Sequence, residues 1–100
     1  MILQLGDFFI GYLTDKVLMR LADVIGKDHL KLGVFLGLKL PIIEAIGANH
    51  ADVVTRAFYV LVAWRQEANN QDSVATFREL CSALTELRQT DLVKMVTRGE

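Results

Sequence analysis

Ala57-Phe58-Tyr59-Val60-Leu61-Val62-Ala63-Trp64-Arg65 is the stretch that decides the fold. Eight uncharged residues end in the only tryptophan of the chain. Around it Val54, Ala57, Phe58, Leu61 and Ala68 recur at three- and four-residue steps, and Leu61 and Trp64 stand three apart, the spacing of one helical face. Val60 and Val62 add apolar surface beyond that face, so this helix, started by Asp52, is expected to be central and largely buried. Trp64 shares the register of Leu61 and reads as core; an interface anchor is the other use of such a residue.

Helices with ordinary punctuation flank this one. Thr14 is a natural N-cap and Asp15 suits a first turn; Val17, Leu18, Leu21, Ala22 and Ile25 form the face, and Gly26 ends it. Asp28 is expected to cap a second helix, with Leu32, Phe35 and Leu36 inward, Lys31 outward and Gly37 as C-cap. Gly33 inside it costs about 1 kcal/mol relative to alanine and reads as a point of close helix packing. Pro41, the single proline, fits the first position of a third helix, with Ile42, Ile43 and Ile46 as its face and an end at Gly47 or Asn49. Asn69-Asn70-Gln71-Asp72 is a polar turn. Asp72 or Ser73 caps a fifth helix marked by Phe77, Leu80, Cys81, Leu84 and Leu87, and Thr90-Asp91 caps a short sixth with Leu92, Val93 and Val96. Links of a few residues force near-neighbour, mostly antiparallel packing. The chain reads as all-α, a compact six-helix antiparallel bundle over residues 14–97 with residues 98–100 as a tail. Ahead of it, residues 1–13 carry Ile2, Leu3, Leu5, Phe8, Phe9 and Tyr12, too apolar for a solvated tail. They are expected to add a turn of helix packed on the bundle. A partner-binding or membrane-surface segment is the alternative, against which stands the lack of lysine or arginine to meet anionic lipid.

Composition narrows the function. One hundred residues make one domain, and half of them are apolar, enough for one core. The net charge is −1, from eleven basic and twelve acidic residues with no block of either sign. Nucleic-acid binders need a concentrated positive footprint, so DNA and RNA are poor candidates. A membrane span needs roughly 20 apolar residues, and the longest uncharged run is eight. The start carries an acid early and lacks the basic region of a signal peptide. The single cysteine forms no intrachain bridge, which fits a reducing, cytoplasmic setting. Two histidines and one cysteine lack metal-ligand spacing, the seven glycines are isolated rather than a phosphate loop, and no nucleophile-base set can be assembled. No catalytic, cofactor or metal residue, and no small-molecule substrate, is expected.

The ordered features resemble the death domain. Leu18-x-x-Leu21-Ala22 looks like its first helix, Gly26-x-Asp28-x-x-x-Leu32-x-x-x-Leu36-Gly37-Leu38 its second, and Ile42-Ile43-x-x-Ile46 its third. Asn49-His50 before Asp52 resembles the turn where the family often has Asn-Pro, and Trp64 falls at the family's recurrent tryptophan in Ala57-x-x-x-Leu61-x-x-Trp64. Leu80-x-x-x-Leu84 and Asp91-Leu92 match the last two helices. The chain departs where the family commonly has tryptophan after the helix-two aspartate; here it is His29. Arg88-Gln89-Thr90-Asp91-Leu92 is one residue too long for the Arg-x-Asp-Leu of a death-effector domain. Trp64 favours the death domain over the caspase-recruitment domain.

The resemblance implies a homotypic protein-interaction module, an adaptor or assembly unit in intracellular signalling such as apoptosis or innate immunity. Its partners are other death domains, joined in homo- or hetero-oligomers. Family contacts join helices two and three of one copy to helices one and four of another. That places Lys27, Asp28, Lys31 and Lys39 on one face and Asp15, Asp23, Asp52 and Arg56 on its complement, where the plain reading of these charges is a solvated surface. A small helical regulatory or DNA-binding domain is the alternative function; it needs a basic recognition helix, which this sequence lacks. Cys81, in phase with Phe77 and Leu84, reads as a buried structural thiol rather than a nucleophile. His29 reads as a half-buried packing residue or a pH switch, and His50 as a turn residue capping helix four.

Overall fold

The computed structural model describes residues 13–68 and 73–98. Thr14 Oγ1 accepts the N–H of Val17 at 3.3 Å and so caps α1, Asp15–Ile25. The whole expected face of α1, Val17, Leu18, Leu21, Ala22 and Ile25, is buried. Gly26 ends α1 at φ +46, a backbone region open to glycine and costly for most other residues. The chain then makes a 3-10 turn, Gly26–Asp28, and continues directly into α2, His29–Phe35. Asp28 therefore does not cap α2 as expected: a capping residue needs extended backbone, and Asp28 sits at φ −90, ψ 19 with no side-chain capping bond.

Gly37 does the stopping foreseen for it. At φ +81 it lets Leu38 N–H reach the carbonyl of Gly33 while its own N–H reaches that of Val34, both at 3.0 Å, the paired bonds of a Schellman motif. Leu32 and Leu36, four apart, take the inward face. Phe35, expected inward with them, is 40 % exposed, because in so short a helix the neighbour of Leu36 is turned toward the rim.

The third helix, α3, spans Leu40–Asn49 and starts one residue before Pro41. Pro41 is thus its second residue, still among the first-turn N–H groups that have no partner inside a helix. Ile43 is buried, with Ile42 and Ile46 half-buried. A Cβ built at Gly33 would lie 2.6 Å from Cδ1 and 2.8 Å from Cγ1 of Ile43, so glycine permits the close approach of α2 and α3.

Helix α4, Val53–Ala68, is the central element. Asp52 Oδ2 accepts both the N–H and the hydroxyl of Thr55, each at 2.9 Å, and this caps the helix. Ala57, Val60, Leu61, Trp64 and Ala68 are buried, and α1, the 3-10 turn, α2 and α3 all pack on it. Asp15 at the start of α1 pairs with Arg65 near the end of α4, while Gly26 at the end of α1 faces Val53 at the start of α4. The two helices therefore run antiparallel.

Helices α5, Ser73–Glu86, and α6, Thr90–Arg98, close the core with Leu80, Ala83, Leu84, Leu92 and Val96. Thr90 already lies inside α6, and the carbonyl of Gln89 accepts the first backbone bond, so the expected Thr90-Asp91 cap sits one residue too late. The α5–α6 turn repeats the paired bonds seen at Gly37, with Arg88 rather than glycine in the left-handed position at φ 61. Among the described residues the chain is all-helical. Five helices run to nine residues or more, and α2 has seven. The expectations for the segment before Leu13, for the turn at residues 69–72 with its Asp72 cap, and for the last two residues lie outside the described residues.

Candidate functional site

The two groups of charges foreseen from sequence come out differently. Lys27, Lys31 and Lys39 are exposed, on the 3-10 turn, on α2 and at the head of α3 respectively, and Asp28 is half-buried beside them. Asp15, Asp23 and Asp52 are exposed, but Arg56 is not a free outer charge. It is half-buried, and its Nε donates to the carbonyl of His50, tying the α3–α4 turn to α4.

Antiparallel packing divides the second group. Asp23, Asp52 and Arg56 sit at the end of the bundle where α1 finishes and α4 begins, and the 3-10 turn with Lys27 and Asp28 packs against that same end. Asp15 stands at the other end, its Oδ1 2.7 Å from Nη2 of Arg65. Nη1 of the same guanidinium donates to the carbonyl of Leu13 at 2.9 Å. Asp52 is drawn into the helix start: the N–H and hydroxyl of Thr55 hold its carboxyl below the usual carboxylate range. Acid and base thus meet at one end of the molecule, which the linear order of the charges does not show.

Phe35 forms a ridge between two surface clefts. One, of about 360 Å³, is bounded by Gly37, Trp64, Glu67 and Glu79. The other, of about 400 Å³, lies between Asp28 and Lys31 of the α2 region and Glu86 and Arg88 at the end of α5. Trp64 is 2 % exposed, with its indole N–H donating to Glu79 Oε1 at 2.8 Å. A buried indole needs an acceptor, so a partner was foreseeable; that it is Glu79 follows only from the packing of α5 on the core.

The remaining singled-out residues fall into place. His29 is half-buried, with an Nδ1 that has no hydrogen-bond partner among the described residues. Burial, and then the nearby positive charge of Arg56, lower its pKa. His50 does not cap α4, since Asp52 does; its ring stacks on Tyr59, centroids 4.3 Å apart. Cys81 is half-buried rather than fully buried, because Leu80 and Leu84 take the inward positions of α5, and its partial burial raises the thiol pKa.

The death-domain family model matches residues 15–99. This chain belongs to the death-domain family. A death domain is a protein–protein interaction module of signalling pathways, and its partners are other domains of the death fold. No curated protein and no solved structure matches the chain. Among the described residues of this death domain no three His, Cys, Asp or Glu side chains are grouped to hold a metal, and no helix is long and apolar enough to cross a membrane.

Proposed function

We propose that this death domain is a homotypic assembly unit or adaptor of intracellular signalling, of the apoptotic or innate-immune kind, acting in the cytoplasm as a six-helix antiparallel bundle. The family match over residues 15–99 carries the reading. On this proposal Lys27, Lys31 and Lys39, with Asp28, form one half of the contact. Asp23 and Asp52, with Arg56, at one end of the bundle, and Asp15 at the other end, form the complementary half on a second copy or on a different death domain. A contact between unlike faces is heterologous, and where its rotation does not close into a ring it builds helical oligomers. Opposite charges on the two faces set encounter rate and register. The exposure of the three lysines and three aspartates supports this. The bonds of Asp15 to Arg65 and of Arg56 to His50 hold two of these groups in place before any partner arrives.

Sedimentation of the full chain, alone and mixed with other death domains, tests the proposal at two salt concentrations. Lys31→Glu and Lys39→Glu should keep the fold, since exposed substitutions usually act within about ±0.5 kcal/mol, and should weaken assembly. Wild-type assembly should also weaken as salt rises, because exposed charges are screened beyond roughly 8 Å at physiological ionic strength. Identical sedimentation of all three proteins at both salts refutes the charged contact.

A further inference from the structure

We propose that the assembly contact has an apolar centre, in which Leu30 and Val34 of one copy of this chain pack on Val24 and Val53 of a second copy. The inference rests on the assembly reading above and names the partner as the chain itself. Leu30 and Val34 stand four residues apart on α2, and each is about half exposed. At about 3.6 residues per turn they lie on the side of the helix opposite the buried Leu32 and Leu36. Lys27 precedes Leu30 by three residues, and Lys31 precedes Val34 by three, so an exposed lysine flanks each apolar side chain. Helix α2 itself carries no acid, and Asp28 just ahead of it is half-buried and lines the cleft beside Phe35.

A second pair of exposed apolar side chains sits among acids. Val24 follows Asp23 near the end of α1, and Val53 follows Asp52 at the start of α4; all four are exposed. A Cβ built at Gly26 would lie 3.9 Å from Cγ2 of Val53, so the end of α1 and the start of α4 adjoin. One surface therefore sets apolar side chains between lysines, and the other sets them beside aspartates. Two lysine-flanked stripes repel each other, as do two aspartate-flanked ones, so like does not pair with like. Each copy carries both surfaces, and a second copy supplies the match in charge and in hydropathy at once. An apolar centre inside a polar rim is the usual anatomy of a protein interface. The centre gains by leaving water, and the charges around it fix the register.

The test is sedimentation of the full chain over a concentration series, with two variants that leave every charge in place. Leu30→Gln/Val34→Gln blunts the α2 stripe, and Val24→Gln blunts the surface opposite it. Each variant alone should self-associate about tenfold more weakly than wild type, with an unchanged melting temperature. Mixed in equal amounts, they should bind with wild-type affinity and stop at pairs, because each keeps the half the other has lost. Should the double variant melt early, Leu30→Gln alone carries the same comparison. Wild-type association by Leu30→Gln/Val34→Gln overturns the proposal, and so does a mixture no tighter than its components. If Lys39→Glu weakens assembly and the glutamine variants do not, the charged contact stands and the apolar centre falls. A wild-type chain that stays monomeric but binds a different death domain overturns the second copy as partner and leaves the assembly reading intact; one that binds neither overturns both.

Discussion

Trp64→Ala is the substitution that most directly tests the packing of this bundle. The side chain is 2 % exposed, on the face of α4 that meets the core, and its N–H reaches Glu79 on α5. Truncating a buried tryptophan costs about 3–5 kcal/mol, from lost transfer free energy and from the cavity left behind. Most domains are stable by only about 5–15 kcal/mol. With a urea slope of about 2 kcal/mol per molar, the midpoint should fall by about 2 M. Urea titration followed by far-ultraviolet circular dichroism is the assay, because the variant has lost its fluorophore. Trp64→Phe separates the two contributions. It keeps most of the apolar contact and deletes the donor; Glu79 is half-exposed and can return to water, so the loss should be about 1 kcal/mol. A Trp64→Ala midpoint within about 0.3 M of wild type would show that the indole does not fill the core, and the argument from helix register would fail with it.

Gly33→Ala should destabilise the fold by up to about 2 kcal/mol in the same titration, since overpacking costs about 1–3 kcal/mol against a helix-propensity gain of about 1. The new methyl would meet Ile43, which is 2 % exposed and has no room to swing away. Ile43→Val, which removes the nearest atom, should cost less in the Gly33→Ala background than alone; equal costs would show that the helices do not meet there. Arg88→Gly should raise thermal stability by up to about 1 kcal/mol, because the left-handed position at φ 61 strains any side chain, and a fall in melting temperature counts against that backbone geometry. For His29 the folded-state pKa lies below its usual 6.5, so the neutral ring stabilises the fold above that pH. That stability is lost as pH falls through 6.5 toward the lower folded value, the charged ring being disfavoured by burial and by Arg56. Melting temperatures taken from pH 7.5 down to 5 should drop less in His29→Leu than in wild type, and parallel curves would exclude this contribution.

Much of the fold was legible because the signals were local. The Thr14 cap, the buried face of α1, the Gly37 stop and the helical register through Trp64 each depend on residues within one or two turns. Tertiary context decided the misreadings. The start of α2 depends on whether the chain leaves Gly26 extended or already turning, and packing against α4 selects the turn. Phe35 carries the hydrophobicity of a core residue, but a seven-residue helix has one inward stripe, and Leu32 and Leu36 fill it.

The candidate site was legible in composition and illegible in arrangement. Sequence can name exposed charges; it cannot say which of them are already engaged. Asp15 and Arg65 are fifty positions apart, and only the antiparallel run of α1 against α4 brings them to 2.7 Å. For an approaching partner those two charges largely cancel at any distance longer than their own separation. Asp52 is likewise partly satisfied by Thr55, and Arg56 by the carbonyl of His50. The charges whose sign a partner meets undiminished then concentrate elsewhere: Asp23 at one end of the bundle, and the lysines that run from the 3-10 turn across α2 to the head of α3. Lys31 differs within that set, because it shares a cleft with Glu86 and Arg88, so its local field is mixed. Reversing Lys39, which lines neither cleft beside Phe35, therefore reports on an intermolecular contact more cleanly than reversing Lys31. If only Lys31→Glu weakens assembly, the cleft beneath Phe35 rather than the basic strip is the surface that matters.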